Sequence, residues 1–541
     1  MNFGGCDFLT KFLDISSCPN LKKIDLRSCK NLVEIHDSVG LILDKLVNLR
    51  LGRCFNLKSF PRRLQLRSLE LLDLGTCSSL LNFPEIECEM EHLQEVYLMG
   101  TAIEELPSSI GYLTRLSSLY LSGSVNLKRL PSSIHQLRFL QFFDLSNCPN
   151  IRSFGTEEVH NGQPKPYVVS TSWKNEALLG AELFPLPPPT KSTTSLILNL
   201  MNSGLSKSNF FGPFHFFPNL DHLDLSGSDI VSIPTSIKRY VRLEYLILND
   251  CKQLQEIKEF PPNLNFVHAG GCISLESLPE ISKEFNFPRL RWIDLANCYK
   301  VNMGNWISNP AWNGAEMIFP RNKILEWFSH CKEITSNSHR CEFDIKVAPP
   351  YNLDDIIGIA FCVVIEFVAA IFFYVDIRRA LGENVIEPVT VTYPNRYWQG
   401  HPKFDEIDSD HVWLRYLTTE NITRLRNVSV DQANDHLRII FENCIPDNSL
   451  IFKRCGVHLL YKQHDEQNAK DHENVDVHLD APIEDIGNLA NPMYHGSQLS
   501  KRRRVDLDDD KDDHNIEPNL YTQQRKPAST LDIKLSFRAI C

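Results

Sequence analysis

The sequence has no excess of basic residues. Lys and Arg number 56 against 67 Asp and Glu, which gives the 541-residue chain a formal net charge of −11. A surface that follows nucleic-acid phosphates needs a basic excess, and the first residues lack the basic and then apolar segments of a signal peptide. The composition therefore favours neither a nucleic-acid partner nor secretion, and the length predicts two or three domains.

The sequence also lacks the short motifs that carry catalysis. It contains no G-x-x-x-x-G-K-[ST] phosphate loop, no G-x-G-x-x-G loop and no G-x-S-x-G elbow, so no nucleotide site or nucleophilic serine can be assigned. His472, Glu473 and His478 lie in a polar segment without the spacing of a zinc protease. We therefore predict no catalytic, cofactor-binding or metal site, and a protein that is not an enzyme.

No C-x-x-C pair is present, although the chain has 16 cysteines. Eight of them stand at one phase of a repeat: Cys6, Cys29, Cys54, Cys77, Cys148, Cys251, Cys272 and Cys298. That phase predicts parallel structural thiols on successive coils rather than zinc ligands or disulfides. A reducing compartment is the favoured setting.

The repeat itself is L-x-x-L-x-L-x-x-C, with Thr or Ser sometimes in place of Cys. Within two uninterrupted blocks its starts are 21 to 26 residues apart, which is the period of the leucine-rich repeat. The units begin at Leu21, Leu46, Leu69, Leu93, Leu116, Leu140, Leu220, Leu243, Leu264 and Leu290. We predict an α/β leucine-rich-repeat solenoid over residues 1–304, with a parallel β-sheet horseshoe on its concave side.

Each part of the repeat has a physical role in this prediction. The two apolar residues of L-x-L point inward from a short strand, and the small Cys, Ser or Thr fits a buried bend, where it can donate a weak hydrogen bond. Phrases such as Leu106-Pro107-Ser108-Ser109-Ile110 end strand pairing and turn the chain onto the convex side.

Two segments depart from the repeat. Residues 155–190 contain the run Pro185-Leu186-Pro187-Pro188-Pro189 and are predicted to form an inserted, protruding loop, which is either a contact site or a tolerated insertion. A degenerate coil at Leu196-Leu198-Leu200 is expected to resume the stack.

From residue 305 the period is lost. Alternating Cys341-x-Phe343-x-Ile345-x-Val347 predicts a half-buried strand, and further strand-like runs occur at 411–416, 437–441 and 455–461. Short strands between polar turns predict an antiparallel β-sandwich over residues 305–462.

One segment of this region allows two interpretations. Residues 356–375 are twenty residues with Glu366 as the only charge, long enough to span a bilayer. The alternative is two buried strands that meet at a turn near Glu366, since a carboxylate at mid-membrane is costly and the β-branched and aromatic content suits strands. The strand interpretation is favoured.

Residues 463–541 are polar and acidic, which predicts a disordered tail. It contains the basic run Lys501, Arg502, Arg503 and Arg504, followed by acidic residues 506–510. This run is either a nuclear-import signal or a solvated cluster neutralised by the acids beside it.

The variable positions around each L-x-L should line the concave face. Aromatic and Arg side chains there are typical anchors for a protein partner. The predicted partner-binding residues are Arg50, Arg53, Tyr97, Met99, Tyr120, Phe142, Tyr245 and Trp292, with His222, Ile247, His268 and Arg291 at related positions.

Acidic residues also recur at one strand position of the repeat. They are Asp25, Asp73, Asp144, Asp224 and Asp294. A ladder of carboxylates allows a metal-site hypothesis, but no ligand-rich loop flanks it. A solvated row on the concave face is favoured instead.

The repeat sequences resemble those of plant intracellular immune receptors of the TIR–nucleotide-binding–leucine-rich-repeat (TNL) class. The phrase CPNLKKIDLRSCKNLVEIHDSVG (18–40) is typical of that group. EWFSH (326–330), GIAFCVVI (358–365) and KRCGVHLLY (453–461) are similar to the post-repeat jelly-roll domain, C-JID, of these receptors. The resemblance covers residues 1–462 and implies a jelly-roll topology for the sandwich.

The resemblance also implies a function. In the family the repeats and the post-repeat domain sense a pathogen effector or a guarded host protein, so we expect a protein ligand, a full-length receptor chain as a further partner, and a cytoplasmic or nuclear location. The NAD-cleaving TIR domain and the nucleotide-binding switch have no counterpart in this sequence. The alternative is a truncated form of a full receptor: Met1-x-Phe3-x-x-Cys6 reads as the second half of a coil, so Met1 is expected to be an internal methionine of a longer chain.

Overall fold

The computed structural model describes residues 1–154, 194–204, 217–280, 289–308, 316–334, 340–347, 351, 355–367, 373–379, 410–418, 436–443 and 450–462. The strands are β1 (Lys11–Phe12), β2 (Lys23–Asp25), β3 (Glu34–Ile35), β4 (Asn48–Arg50), β5 (Arg63–Leu64), β6 (Leu71–Asp73), β7 (Glu85–Ile86), β8 (Glu95–Tyr97), β9 (Ser118–Tyr120), β10 (Arg129–Leu130), β11 (Phe142–Asp144), β12 (Ser153–Phe154), β13 (Leu196–Asn199), β14 (Leu220–Asp224), β15 (Ser232–Ile233), β16 (Tyr245–Ile247), β17 (Glu256–Ile257), β18 (Phe266–His268), β19 (Trp292–Asp294), β20 (Glu316–Pro320), β21 (His330–Glu333), β22 (Arg340–Lys346), β23 (Ile356–Phe367), β24 (Phe373–Arg379), β25 (His411–Thr418), β26 (His436–Asn443) and β27 (Leu450–Tyr461). Within these residues the helices are α1 (Ser38–Leu41), α2 (Gly304–Ser308) and three 3-10 helices at Ser108–Tyr112, Ser132–Gln136 and Thr235–Arg239.

The L-x-L motifs form one parallel sheet, as predicted. Its strand order runs from β2 and β4 through β6, β8, β9 and β11 to β13, β14, β16, β18, β19 and β20. The central inward residues pair in register, as Leu49 does with Leu72, and all of them are buried in one continuous core. The coil at 196–200 takes its place between β11 and β14, which confirms that the stack resumes after the interruption.

The bend after most of these strands holds a cysteine, with Thr or Ser on the others. The thiols of Cys54, Cys148 and Cys298 donate to the backbone oxygens of Leu26, Leu121 and Ala269 on the preceding coils, at 3.1, 3.2 and 3.0 Å. Cys29, Cys77, Cys251 and Cys272 make equivalent bonds, and Ser124 Oγ makes one with Leu98 O at 3.0 Å. The predicted donor role of this position is confirmed.

A second ladder was not predicted, in which an asparagine two residues after the Cys or Ser of the bend bonds to the preceding coil. The side-chain amide of Asn56 donates to Lys30 O at 2.9 Å, and that of Asn150 donates to Val125 O at 2.7 Å. Asn31 and Asn126 do the same on their coils. These bonds satisfy backbone carbonyls that the irregular side of the solenoid leaves without a strand partner.

The convex side follows the proline prediction. Each of the three 3-10 helices begins directly after a proline in extended conformation, Pro107, Pro131 and Pro234. The same side carries short parallel pairs, β1 with β3, β5 with β7, β10 with β12 and β15 with β17. Ion pairs such as Lys128–Glu104 at 2.6 Å and Lys11–Glu34 at 2.8 Å join neighbouring coils there.

Strand β20 connects the solenoid with the region that follows it. It pairs in parallel with β19 on one side and antiparallel with β25 on the other. The sheet then continues through β23, β27 and β21, and these later strands pair antiparallel. The parallel sheet and the antiparallel sheet are therefore one hydrogen-bonded layer.

A second layer, in the order β22-β26-β24, packs on this part of the sheet. The core between the two layers includes Phe361 and Trp413 from one and Phe343 and Phe441 from the other. The predicted antiparallel strands are thus present in two packed layers. The jelly-roll topology stays a prediction, because the segments that link several of these strands lie outside the described residues.

The apolar segment 356–375 contains two strands, β23 and β24, in different layers. One face of β23 packs into the solenoid core through Ala360, Cys362 and Val364, and the other packs into the sandwich core. A strand buried on both faces has a continuous apolar sequence, which accounts for the length of the run. Among the described residues, no helix is long and apolar enough to cross a membrane.

Some predictions cannot be compared with the structure. The Pro-rich insertion at 155–190 and the tail 463–541, which includes Lys501 to Arg504, lie outside the described residues.

Candidate partner-binding surface

Two rows of side chains point outward from the concave sheet. The first row precedes the central inward residue of each strand and includes Phe142, His222, Tyr245, Phe266 and Trp292, which follow one another in the strand register except where Ile197 intervenes. The second row follows the central residue. Its members are Asp25, Arg50, Asp73, Tyr97, Tyr120, Asp144, Asn199, Asp224, Ile247, His268, Asp294 and Ile318.

Tyr97, Tyr120 and Phe142 form a stack that we call the open ladder. The rings of Tyr97 and Tyr120 are parallel, with centroids 4.6 Å apart and an interplanar angle of 2°, and Phe142 follows at 5.0 Å with a tilt of 39°. Each ring is half-buried. Rings held by stacking on their neighbours have little rotamer freedom left to lose when a partner binds.

The hydroxyl group of Tyr97 is also fixed. It donates to the Glu95 carboxylate at 2.9 Å. Burial and the bond to Glu95 raise the pKa of Tyr97, so the group stays a neutral hydrogen-bond donor at physiological pH. The open ladder thus presents ring edges and an oriented polar group on the concave face.

A second stack lies further along the first row. His222 and Tyr245 are 4.0 Å apart with an angle of 9°, and Tyr245 and Phe266 are 4.5 Å apart with an angle of 11°. Phe266 packs against the core of the sandwich. This stack therefore runs from the concave surface to the edge of the sandwich.

The prediction that Trp292 is an exposed anchor is wrong. Trp292 retains 3% of its exposure and belongs to the sandwich core together with Ala296 and Ile318. Ile247 and His268 are buried as well. The sandwich occupies the last coils of the concave face, so Trp292 stabilises the junction. We call this part, with Phe266, Trp292, Ala296 and Ile318, the covered end.

The junction at the covered end includes specific polar contacts. Trp413 Nε1 donates to Glu316 at 2.7 Å, and Arg415 lies 3.7 Å from the same carboxylate. The backbone N–H of Asn297 donates to His411 Nε2 at 3.0 Å, and His411 is fully buried. These bonds join residues about a hundred positions apart in the chain, and no sequence motif predicts them.

The recurring aspartates cap the bends. Asp25, Asp73, Asp144, Asp224 and Asp294 each accept the backbone N–H two residues later, at 2.9 to 3.1 Å. Such Asx turns explain the recurrence without a metal. The predicted solvated row holds only in part, because Asp224 and Asp294 are buried.

The carboxyl pKa values of these aspartates shift in different directions along the row, because some of the side chains are more buried than others. Arg27 hydrogen-bonds Asp25 and lowers the pKa of that carboxyl, whereas burial raises the pKa of Asp224. Among the described residues, no group of three or more His, Cys, Asp or Glu side chains could hold a metal ion.

The remaining predicted anchors, Met99, Arg50 and Arg53, lie at different places on the solenoid. The Met99 side chain lies over the bend at Gly75 on the preceding coil, where a Cβ atom would come within 2.6 Å of its Sδ, so that glycine leaves room for Met99. Arg50 is half-buried in the second row, while Arg53 lies at a bend with φ of 65°. The structure therefore brings together Tyr97, Tyr120 and Phe142, places Met99 against Gly75 and leaves the two arginines outside this cluster.

One feature next to the open ladder was missed by sequence reasoning. A shallow cavity of about 470 Å³ is lined by residues that precede β8, β9 and β11: Glu91, His92, Gln94, Arg115, Ser117, Phe139 and Gln141. The Arg115 guanidinium lies 4.6 Å from the Phe139 ring centroid. These positions vary from coil to coil, so no repeated pattern marks them.

Two families match parts of the chain. Residues 65–164 match the leucine-rich repeats described as "Disease resistance protein RPS4B-like", and residues 319–466 match the C-JID domain. The two matches follow one another in the order that the sequence resemblance predicts, and the resemblance to TNL receptors is confirmed.

Similar proteins are plant disease resistance proteins. The chain is 30% identical to the TMV resistance protein N of Nicotiana glutinosa over 54% of its length and 27% of that protein. It is 25% identical to the Disease resistance protein RPS4B of Arabidopsis thaliana, over 87% of the chain and 38% of that protein. The chain thus spans well under half of the length of these relatives.

Proposed function

We propose that this chain, whose repeats and C-JID domain correspond to the C-terminal portion of plant TNL disease resistance proteins, is a non-enzymatic recognition module that binds a protein ligand. The ligand would be a pathogen effector or a guarded host protein, in the cytoplasm or the nucleus. The observation that carries the proposal is the stacking of Tyr97, Tyr120 and Phe142 on the concave face.

The open ladder has the properties of a protein-binding hot spot. Aromatic side chains bury large areas at low entropic cost and dominate the energetics of protein interfaces. The covered end supports the same assignment, since the sandwich already packs on Phe266 and Trp292, which lie in the same row as Phe142. A protein ligand would use Tyr97, Tyr120 and Phe142 in the same way.

A differential capture experiment tests this proposal. The full chain, a Tyr97→Ala/Tyr120→Ala variant and a Tyr112→Ala variant are immobilised and exposed to extract from pathogen-challenged plant tissue. Tyr112 is the matched control, because it is 49% exposed and lies on a convex 3-10 helix. We expect quantitative mass spectrometry to identify proteins that wild type and Tyr112→Ala retain and that the double variant does not retain.

The contrary result is also well defined. If the double variant keeps the wild-type circular dichroism spectrum and retains the same proteins as wild type, the open ladder is not the binding surface.

A second candidate role follows from the share of the relatives that the chain spans, 27% and 38%. The module would then serve a longer receptor whose other segments carry NAD cleavage and nucleotide binding. Transcript reads that continue in frame upstream of Met1 would support this role, and an in-frame stop codon directly upstream would contradict it.

A further inference from the structure

Two cysteines of the sandwich are unlike the repeat cysteines in their surroundings. Cys341 lies on β22 in the smaller layer and Cys455 on β27 in the larger one, and both side chains are buried in the core between the layers. Strands β22 and β27 adjoin one another across the two layers, and each of the two thiols acts on the pKa of the other, as closely placed side chains do. They therefore meet across the sandwich.

A lysine lies beside this pair. Lys332 is on β21 directly opposite Cys455 in the antiparallel register, so the two side chains share one face of the sheet. Its ammonium group reaches across to the smaller layer, 5.1 Å from the Phe343 ring centroid, and donates to the backbone oxygen of Glu342. Phe343 and Glu342 are neighbours of Cys341, so a positive charge borders the thiol pair.

The electrostatics make one of the two thiols more acidic than the other. The hydrogen bond from Cys455 and the charge of Lys332 lower the pKa of Cys341, against the effect of burial. Burial, together with the same hydrogen bond, raises the pKa of Cys455. A thiol of lowered pKa beside a protonated thiol is the arrangement of an attacking and a resolving cysteine.

We propose that Cys341 and Cys455 are a modification site, at which hydrogen peroxide oxidises them to a reversible disulfide that links the two layers of the sandwich. The Cys341 thiolate attacks one peroxide oxygen, the O–O bond breaks, and the departing hydroxide takes a proton to become water. The Cys455 thiol then attacks the Cys341 sulfenic acid, the S–O bond breaks, and a second water leaves as the S–S bond forms. Peroxide is reduced by the two electrons that the thiols lose, and a dithiol reductant reverses the change.

The neighbouring cysteines supply controls. Cys331 is exposed and adjoins Lys332 on β21, so its side chain points to the opposite face. Cys362 is buried on the face of β23 that packs into the solenoid core. Neither belongs to the core that contains the proposed pair.

Peptide mapping of the full chain tests the site. The reduced protein is treated with hydrogen peroxide under native conditions, free thiols are alkylated, and the protein is digested without reductant. We expect one linked pair of peptides containing Cys341 and Cys455, a higher thermal midpoint, and loss of both after dithiothreitol. The same linked pair is expected in Cys331→Ser.

Three results would overturn the proposal. They are full alkylation of Cys341 and Cys455 after peroxide treatment and denaturation, oxidation of Cys341 to the sulfinic acid with Cys455 still free, and a link from either residue to a different cysteine. The test uses wild-type protein, so it does not depend on whether a cysteine variant folds.

The role of Lys332 has its own test. Lys332→Gln is expected to slow formation of the link about threefold at neutral pH, and Lys332→Arg to retain the wild-type rate. At a pH high enough to ionise Cys341 fully in both wild type and Lys332→Gln the rates should converge, which a merely structural role would not produce. An unchanged rate in Lys332→Gln at neutral pH would remove Lys332 from the site.

Discussion

Phe142 and Trp292 occupy the same row of the same sheet but have different surroundings. Phe142 is half-buried at the concave surface, stacked on Tyr120, whereas Trp292 retains 3% of its exposure beneath the sandwich. The repeat position places an aromatic side chain on the concave face in both cases. Whether that side chain binds a partner or stabilises the fold depends on what covers it.

The largest expected effect is a difference in stability between variants of the covered end and variants of the open ladder. Trp292→Ala should lower the free energy of unfolding by about 3 to 5 kcal/mol, because it leaves a cavity in the sandwich core. Tyr120→Ala should cost about 1 kcal/mol, since it removes only a half-buried stacking partner. Urea denaturation followed by circular dichroism measures both, and the exposed neighbour Arg291 provides the control Arg291→Ala. Equal losses for Trp292 and Tyr120 would contradict the division into open and covered parts.

The second prediction compares aspartates from the two ends of the row. Asp224→Asn should stabilise the protein at neutral pH by about 1 kcal/mol, because the amide relieves a buried charge. The cap should survive, since Asn199 Oδ1 already accepts the backbone N–H of Met201 at 3.0 Å. Asp25→Asn should instead cost less than about 0.5 kcal/mol, since it breaks a partly exposed pair with Arg27.

The pH dependence of these variants has opposite signs. The pKa of Asp224 is raised on folding, so its contribution to stability is present at low pH and is lost as pH rises through the raised pKa. The pKa of Asp25 is lowered, so its contribution is present above the unfolded-state pKa and is lost as pH falls. The gain from Asp224→Asn should therefore disappear in acid. A gain that is independent of pH would show that burial of the charge is not its cause.

A further prediction, also of small effect, concerns the bends of the open part. Arg53 and Thr76 have φ of 65° and 58°, a left-handed conformation that glycine adopts without strain. Thr76→Gly and Arg53→Gly should each raise the free energy of unfolding by about 0.5 to 1 kcal/mol. Because Arg53 was also a predicted anchor, Arg53→Gly tests both roles: a gain in stability with unchanged partner capture assigns Arg53 to the bend alone. A loss of stability would contradict the strain argument.

Much of the solenoid could be predicted from the sequence because its interactions repeat at a fixed period. The position of Cys54 in the pattern was sufficient to predict a buried donor, and the alternation of Cys341, Phe343 and Ile345 was sufficient to predict a half-buried strand. The β-branched and aromatic content of the apolar run at 356–367 was sufficient to favour a strand, whereas burial of both its faces depends on how the solenoid and the sandwich pack.

The covered end could not be predicted in this way. Asn297 bonds with His411, 114 residues away, and Glu316 bonds with Trp413, 97 residues away. Contacts of that kind depend on how the sandwich docks, and neither the repeat nor the strand pattern specifies docking. Trp292 therefore resembled Tyr97 in the sequence, as an aromatic residue on a concave strand, and was assigned the same role.

The most direct test of the account is the affinity of a captured partner for the Tyr97→Ala/Tyr120→Ala variant, measured by isothermal titration calorimetry beside Tyr112→Ala. We expect the double variant to weaken binding at least about tenfold, equivalent to about 1.4 kcal/mol, while Tyr112→Ala binds as wild type does. An unchanged Kd for the folded double variant would contradict the assignment of the open ladder as the recognition surface.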